Sequence, residues 1–274
     1  MANLHQIERH YAKAGKDIAE RVLTALGTEE PVTPERLAPV DQFHGGGLSA
    51  TRALMVLLQP QATHHLLDLG SGIGGPARWI ASTFGCKVAG IDLTATFCAA
   101  AEALPQATGL EERVTIIHGS ALETPISDNS FDRAYSQNVM MNIEDKLGFY
   151  REAFRVLKPG GMLALSTLAK GPNDEPYYPS PWAETAETSF LAGLEDTKRD
   201  VLIAGFEILQ LNDKSAQTRT EAIAEVTALE TKVPPTIGVP LVMGERFFEL
   251  TLNSARARRV GRLSIIEALL RKPG

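Results

Sequence analysis

The sequence predicts an α/β fold built on a doubly wound, largely parallel sheet, and three observations carry that expectation. From about residue 65 to 211, apolar runs of strand length alternate with amphipathic runs of helix length, the pattern of right-handed crossovers between parallel strands. The run Leu66-Leu67-Asp68-Leu69 leads into Gly70-Ser71-Gly72-Ile73-Gly74-Gly75-Pro76. A buried strand thus turns through glycines into a helix, whose first N–H groups are unpaired and carry partial positive charge. Asp92 closes the next apolar run, at the sheet edge where such folds bind ligands.

Element by element, residues 1–60 read as helical. Ile18, Val22, Leu23 and Leu26 have helical spacing, and Gly27 and Pro31-Val32-Thr33-Pro34 break it. Asp41–Gly47 is a glycine-rich loop. Ser49 or Thr51 caps a helix through Leu54 and Leu58, which Pro60 ends. Strands are expected at His65–Leu69, Lys87–Asp92, Val114–His118, Phe131–Tyr135, Met162–Leu168 and Phe206–Leu211. Helices are expected at Pro76–Phe84, through Ala99 to Ala107, and at Glu144–Leu157, where Pro159-Gly160-Gly161 stops the last. Others are expected at Glu184–Ala204, Thr218–Thr231 and Pro240–Val260. Leu263–Leu270 is short and apolar, and periodicity leaves helix or strand open.

Composition narrows the function classes. The chain has 274 residues, 44% hydrophobic and 22% charged, ordinary for a globular domain with a small cap. There is neither an apolar run of membrane-spanning length nor the apolar core of a signal peptide. Cys86 and Cys98 are expected to be reduced, which points to the cytoplasm. A net charge of −6 argues against nucleic acid as a partner. Arg256, Arg258, Arg259 and Arg262 form a local exception, read as a solvated basic helix face, with an anion site or an RNA contact as alternatives. No His, Cys or carboxylate spacing suggests a metal site.

The glycine run fits two templates. Gly70, Gly72 and Gly75 match a dinucleotide fingerprint, whereas Asp68, Gly70, Gly72 and Gly74 match D-x-G-x-G-x-G. Later segments separate the two. Ala121 to Asp132, with Pro125 and Asp128-Asn129-Ser130-Phe131-Asp132, precedes the fourth strand, and Arg155-Val156-Leu157-Lys158-Pro159-Gly160-Gly161 precedes the fifth. Together they resemble the motifs of class I S-adenosylmethionine methyltransferases. Asp41-Gln42-Phe43-His44-Gly45-Gly46-Gly47 with Ala50-Thr51, Tyr135-Ser136-Gln137-Asn138, Asn253, Arg262 and Arg271-Lys272-Pro273 are similar to the sarcosine/dimethylglycine and UbiE-like small-molecule group.

The resemblance implies a Rossmann-like, seven-stranded sheet with one antiparallel strand, which makes Leu263–Leu270 a strand. It also implies a helical cap over residues 1–60. The catalytic domain would then span 61–274, with a helical insertion at about 214–261. The implied reaction is in-line transfer of a methyl group from S-adenosylmethionine to a small N, O or C nucleophile. A nicotinamide oxidoreductase and a non-catalytic cofactor-binding protein are the alternatives. A homodimer is compatible with the long apolar tail helices.

A carboxylate at the position of Asp92 can accept both hydroxyls of a ribose, or serve as a helix cap. By resemblance, Asp68, Gly70, Ser71, Gly72 and Gly74 surround the methionine end of the cofactor. Leu93 packs on the adenine, and Ser120 and Ala121 line its edge. Ser120 departs from the acidic residue usual in the family, and a hydroxyl makes a weaker bond than a carboxylate. Gln137 lies near the sulfonium, and Tyr11 closes over the carboxylate or simply packs. His44, in the loop with Phe43, is the candidate general base, or it only orients the substrate. His64, His65 and His118 read as structural. Met141 lines an adaptable pocket or the core. Tyr177 and Trp182 make an aromatic wall for the substrate, or pack beneath a proline-rich loop.

Overall fold

A computed structural model describes residues 2–12, 15, 17–27, 29–42, 44–231 and 237–274, with only the backbone of residues 2–5 and 12. Four helices precede the sheet: α1 (Ala2–Ala12), α2 (Ile18–Leu26), α3 (Pro34–Asp41) and α4 (Gly47–Leu58). Then follow β1 (His65–Leu69), α5 (Gly75–Phe84), β2 (Lys87–Asp92), α6 (Ala95–Thr108), β3 (Val114–His118), β4 (Phe131–Gln137), α7 (Lys146–Val156), β5 (Leu157–Lys170), α8 (Leu194–Ile203) and β6 (Glu207–Asp213). The chain ends with α9 (Ser215–Thr231), α10 (Pro240–Met243), α11 (Phe247–Arg259) and β7 (Leu263–Arg271).

The described residues form one seven-stranded sheet in the order β3-β2-β1-β4-β5-β7-β6. β7 is antiparallel to both neighbours, pairing Met162 with Arg271 through to Lys170 with Leu263. This pairing resolves Leu263–Leu270 as strand. The strand order reverses beside β1, so β2 lies on one side and β4 on the other. A cleft opens at that switch point, beyond the strand ends.

Alternating side chains of β1 serve two cores. Leu67 and Leu69 join Phe149, Val156, Val201 and Phe206 beneath α7 and α8. Leu66 joins Leu54, Leu58, Trp79 and Ile80 beneath α4 and α5. Each fully buried leucine of this kind contributes about 1.5–3 kcal/mol. A third cluster ties the cap to the cleft. Ile18, Val22, Leu37 and Val40 pack with Phe97 and Leu104 of α6 and Val242 of α10.

Several expected boundaries move for local reasons. The stretch at Pro31–Pro34 does not merely break a helix, because Thr33 Oγ1 accepts the Arg36 N–H at 3.3 Å and Pro34 opens α3. α4 is capped at Gly46, so Ser49 and Thr51 lie inside it. β4 runs on to Gln137, and β5 starts at Leu157, with a register shift between Phe131 and Arg133 where they pair. The helix expected from Glu184 starts only at Leu194, where Gly193 is its N-cap. The expected 240–260 helix divides at Gly244, whose φ of +82° suits glycine.

The four C-terminal arginines do not form one solvated basic face. Arg256 pairs with Glu230, Arg258 is buried against Glu225, and Arg262 reaches Asp174.

Candidate active site

The glycine turn is held in place by the strand beside it. The N–H groups of Gly70 and Ser71 both donate to Ile91 O, at 2.9 and 3.0 Å. Gly70 has a φ of +87°, and a Cβ there would lie 2.2 Å from Val139 Cγ2. Only glycine fits this point, where the loop passes the end of β4. The Gly72 N–H donates to Asp92 Oδ2 at 2.8 Å, and the Thr94 N–H donates to Asp92 Oδ1 at 2.8 Å. Asp92 is thereby oriented by two backbone amides. Burial lifts its carboxyl above the ordinary range, and the amide bonds oppose that shift.

Gly70, Ser71, Gly72, Asp92, Leu93, Ser120, Ala121 and Gln137 all line one cavity of about 320 Å³, as do Tyr11, His44, Met141 and Trp182. That volume is at the lower end of the range for small-molecule sites. Tyr11 donates to Asn142 Oδ1 at 3.0 Å, Asn142 Nδ2 donates to Trp182 O at 2.9 Å, and Trp182 Nε1 donates to Ser189 Oγ at 2.9 Å. This chain of bonds ties α1 to the loops after β4 and β5. Burial raises the Tyr11 phenol, so it stays protonated. Ser120 Oγ accepts the Leu122 N–H at 3.1 Å, a bond that does not use its own hydroxyl proton.

A polar cluster meets the end of β4. Thr51 Oγ1 is 2.7 Å from Gln42 Oε1, 3.1 Å from Gln137 Oε1 and 3.1 Å from His44 Nε2. One hydroxyl proton cannot serve both carboxamide oxygens. In the tautomer that carries its proton on Nε2, His44, 3.3 Å from Gln42 Oε1, supplies the second donor. Burial lowers the His44 imidazole to about 4, so it is neutral at physiological pH. A group that acidic is a poor general base.

Four expected site residues fall elsewhere or are not described. Asp68 is absent from the cavity wall. Strand alternation turns it to the opposite face, where it accepts the Tyr135 hydroxyl at 2.9 Å and burial lifts it to about 8. Gly74 packs toward Arg78 and Ala101 rather than the cavity. Tyr177 is 37% exposed, and its ring lies beneath the Arg262 guanidinium at 4.6 Å. Phe43 lies outside the described residues. Other cavity-lining residues escaped the motif reading. Asp41 forms a buried ion pair with Arg78 at 2.8 Å and keeps Oδ1 without a partner among the described residues. Thr251 and Arg258 of α11 also line the cavity, and only their helical spacing hinted at it.

Comparison with known proteins interprets the cleft. Residues 67–165 match the model of a methyltransferase domain. Methyltransferase GfsG of Streptomyces halstedii is 31% identical over 198 residues, which is 71% of each chain. The chain belongs to the class I S-adenosylmethionine-dependent methyltransferases. Glycine/sarcosine/dimethylglycine N-methyltransferase of Actinopolyspora halophila is 38% identical over 96 residues, covering 35% of this chain and 17% of that enzyme. Geranyl diphosphate C-methyltransferase from Streptomyces coelicolor A3(2), solved with Mg2+, geranyl diphosphate and S-adenosyl-L-homocysteine, superposes with a TM-score of 0.71. It covers 99% of this chain and 98% of its own at 17% identity, a likeness of fold.

This methyltransferase transfers the methyl group of S-adenosylmethionine to a small-molecule acceptor. Neither the nicotinamide reading nor the non-catalytic one finds support in these relatives. The cleft fits the cofactor on its own chemistry. Ser71 Oγ is buried without a partner among the described residues, and the Asp92 carboxylate, oriented by two backbone amides, lines the same cavity. Among the described residues no helix is long and apolar enough to cross a membrane.

Proposed function

We propose that this methyltransferase acts on a largely apolar small molecule bound between the glycine loop and α10–α11. One observation carries the proposal. The cavity that holds Asp92 and the glycine turn continues along Met141, Leu168, Trp182, Met243, Phe247 and Ile265. Such a wall suits an apolar skeleton better than a small zwitterion. Within the cap and insertion boundaries set out above, both flanking regions contribute to this enclosure.

S-adenosylmethionine supplies a methyl group already activated on a sulfonium. The protein's part is therefore to bind, align and exclude water. Asp92 takes the ribose hydroxyls on lone pairs that its two amide bonds leave free. Leu93, Ser120 and Ala121 bound the adenine. Gly70, Ser71 and Gly72 follow the methionine portion, where Ser71 Oγ gains the hydrogen bond it lacks. Tyr11, tied to Asn142, covers this end. Gln137 and His44 orient the acceptor rather than deprotonate it, because a neutral imidazole titrating near 4 takes up little charge at pH 7. The nucleophile is accordingly a neutral amine or an acidic phenol or enol, neither of which needs a strong base.

A cytoplasmic location is supported by two free, buried cysteines, Cys86 and Cys98. The charge of −6 supports a small-molecule rather than a nucleic-acid partner. The expected homodimer is separate, and light scattering distinguishes it from a monomer. The decisive test is calorimetric titration of S-adenosylhomocysteine into wild type and Asp92→Ala. Loss of a charge-assisted bond to a ligand is worth about 1.5–3 kcal/mol, so binding should weaken at least about tenfold. Unchanged binding in the variant would remove Asp92 from the cofactor site.

A further inference from the structure

The wall formed by α9 and α11 carries a polar stripe for which cofactor binding and methyl transfer provide no use. Phe247, Thr251, Ser254 and Arg258 all line the cavity. Their spacing of four, three and four residues puts them on one face of α11. Three of the four are polar, although the neighbouring wall is Leu168, Trp182, Met243 and Ile265. Arg258 is 7% exposed, and its Nη2 donates to Glu225 Oε2 at 2.7 Å. Glu225, on α9, lines the same cavity. Arg258 Nε and Thr251 Oγ1 are both buried and have no partner among the described residues. A buried donor without an acceptor is costly, and a ligand oxygen would relieve that cost.

Charge narrows what the ligand can be. Glu225 already balances Arg258, so the pair is neutral as a unit. A carboxylate placed there would compete with Glu225 and bring an uncompensated negative charge out of water. A carbonyl or hydroxyl oxygen accepts the Nε–H without that penalty. The Thr251 hydroxyl rotates to donate to a carbonyl or to accept from a hydroxyl.

We propose that Arg258 and Thr251 form a specificity subsite that reads a neutral carbonyl or hydroxyl oxygen on the acceptor, away from the atom that is methylated. The assignment rests on the methyl-transfer reading above and adds to it the feature that selects one apolar skeleton from another. Glu225 is the positioning residue. It holds the guanidinium and sets the subsite's preference for a neutral group over an anion.

The test uses the full chain and matched ligands on phenolic and branched-alkyl skeletons, each as hydrocarbon, ketone and carboxylate. The phenolic set is para-butylphenol, para-hydroxybenzylacetone and para-hydroxyphenylpropanoate. Titrations are run with saturating S-adenosylhomocysteine and without it. Sites built to hydrogen-bond an oxygen reject analogues lacking it, so the ketones should bind wild type at least about tenfold more tightly than the hydrocarbons. Arg258→Met and Thr251→Val should each cut that ratio to below about threefold while S-adenosylhomocysteine binding persists. Thr251→Val keeps the Arg258–Glu225 pair and so guards against a folding artefact. Glu225→Gln should turn the preference toward the carboxylates. The subsite is overturned if no skeleton shows a ketone preference in wild type, or if the preference survives in Arg258→Met. Absence of S-adenosylhomocysteine binding to wild type overturns the reading of function instead, and the cofactor-free titrations still report on the oxygen preference.

Discussion

The two sides of the cavity are built in different ways. The side proposed for the cofactor is mostly backbone: the Gly70 and Ser71 amides bind Ile91 O, and the Gly72 and Thr94 amides bind the Asp92 carboxylate, at the ends of β1 and β2. The side proposed for the acceptor is mostly side chains drawn from distant segments, such as His44, Trp182, Glu225 and Arg258, all of which line the cavity. A backbone site tolerates few residue types, because a Cβ or a wrong φ destroys it. A side-chain site can change its ligand through single substitutions. On the proposed assignments, cofactor identity is accordingly carried by a short run of sequence, and acceptor identity is spread over most of the chain.

The largest expected effect breaks the backbone side. Gly70→Ala puts a methyl group 2.2 Å from Val139 Cγ2 at a φ of +87°. Strain and overpacking together cost at least about 3 kcal/mol. S-adenosylhomocysteine affinity should fall by about a hundredfold or more. Adding Val139→Ala should return part of the loss by removing the clash, but not the backbone strain. If Gly70→Ala binds normally, the loop has another shape.

This contrast also explains what was legible in the sequence. The strand–helix alternation and the glycine–Asp92 run are legible in stretches of a few residues, where local chemistry leaves little choice, whereas the antiparallel β7 came from the family resemblance, because periodicity left Leu263–Leu270 open. Asp68 stands off the cavity wall because the motif gives its position but not its face. One residue of alternation turns it to Tyr135. Tyr177 lies outside the cavity wall because an aromatic in a proline-rich loop can turn outward, here beneath Arg262. Arg258 looked like part of a basic surface because the burial comes from α9, which approaches only in the folded chain. Asp41 was seen as a loop residue, and its partner Arg78 is 37 positions away.

That Asp41–Arg78 pair is the next place to break the comparison, since it joins the cap to the helix that opens at the glycine turn. Both side chains are essentially buried, and Arg78 Nη1 also donates to Ile73 O at 2.8 Å. Removing one member of such a pair costs about 3–5 kcal/mol. Arg78→Met should show this in urea denaturation, and Asp41→Asn/Arg78→Met should recover part of it. A loss below about 1 kcal/mol would mean that the cap is held by its apolar cluster alone.

A pH series sharpens the reading of Asp68. Burial lifts its carboxyl to about 8 in the folded state, and the unfolded value is about 3.9. Between these values the folded protein holds a proton that the unfolded chain has lost. Stability from this group is complete below about pH 4 and is lost as pH rises towards 8. Asp68→Asn keeps an oxygen for Tyr135 and does not titrate. Measured without cofactor, its Tm should gain on wild type between pH 5 and pH 8, at about 2–4 °C per kcal/mol for a chain of this size. A difference that stays flat across that range would show Asp68 to be ionised like a surface carboxylate.

The smallest expected effect comes from a pair that closely parallels the acceptor subsite. Arg256 and Arg258 are two residues apart on α11, and each meets a glutamate of α9 at 2.7 Å. The side chains of Arg256 and Glu230 are 42% and 43% exposed, whereas that of Arg258 is 8% exposed. Water screens the first pair, so Arg256→Ala should cost less than about 1 kcal/mol. The second pair stands in a low dielectric and lines the cavity, so its loss is felt by whatever binds there. Equal bond lengths therefore predict unequal consequences, and burial decides between them. Arg256→Ala should leave ligand discrimination at its wild-type ratio. If it altered that ratio as much as Arg258→Met does, the selectivity would come from the general charge of α11 and not from a subsite.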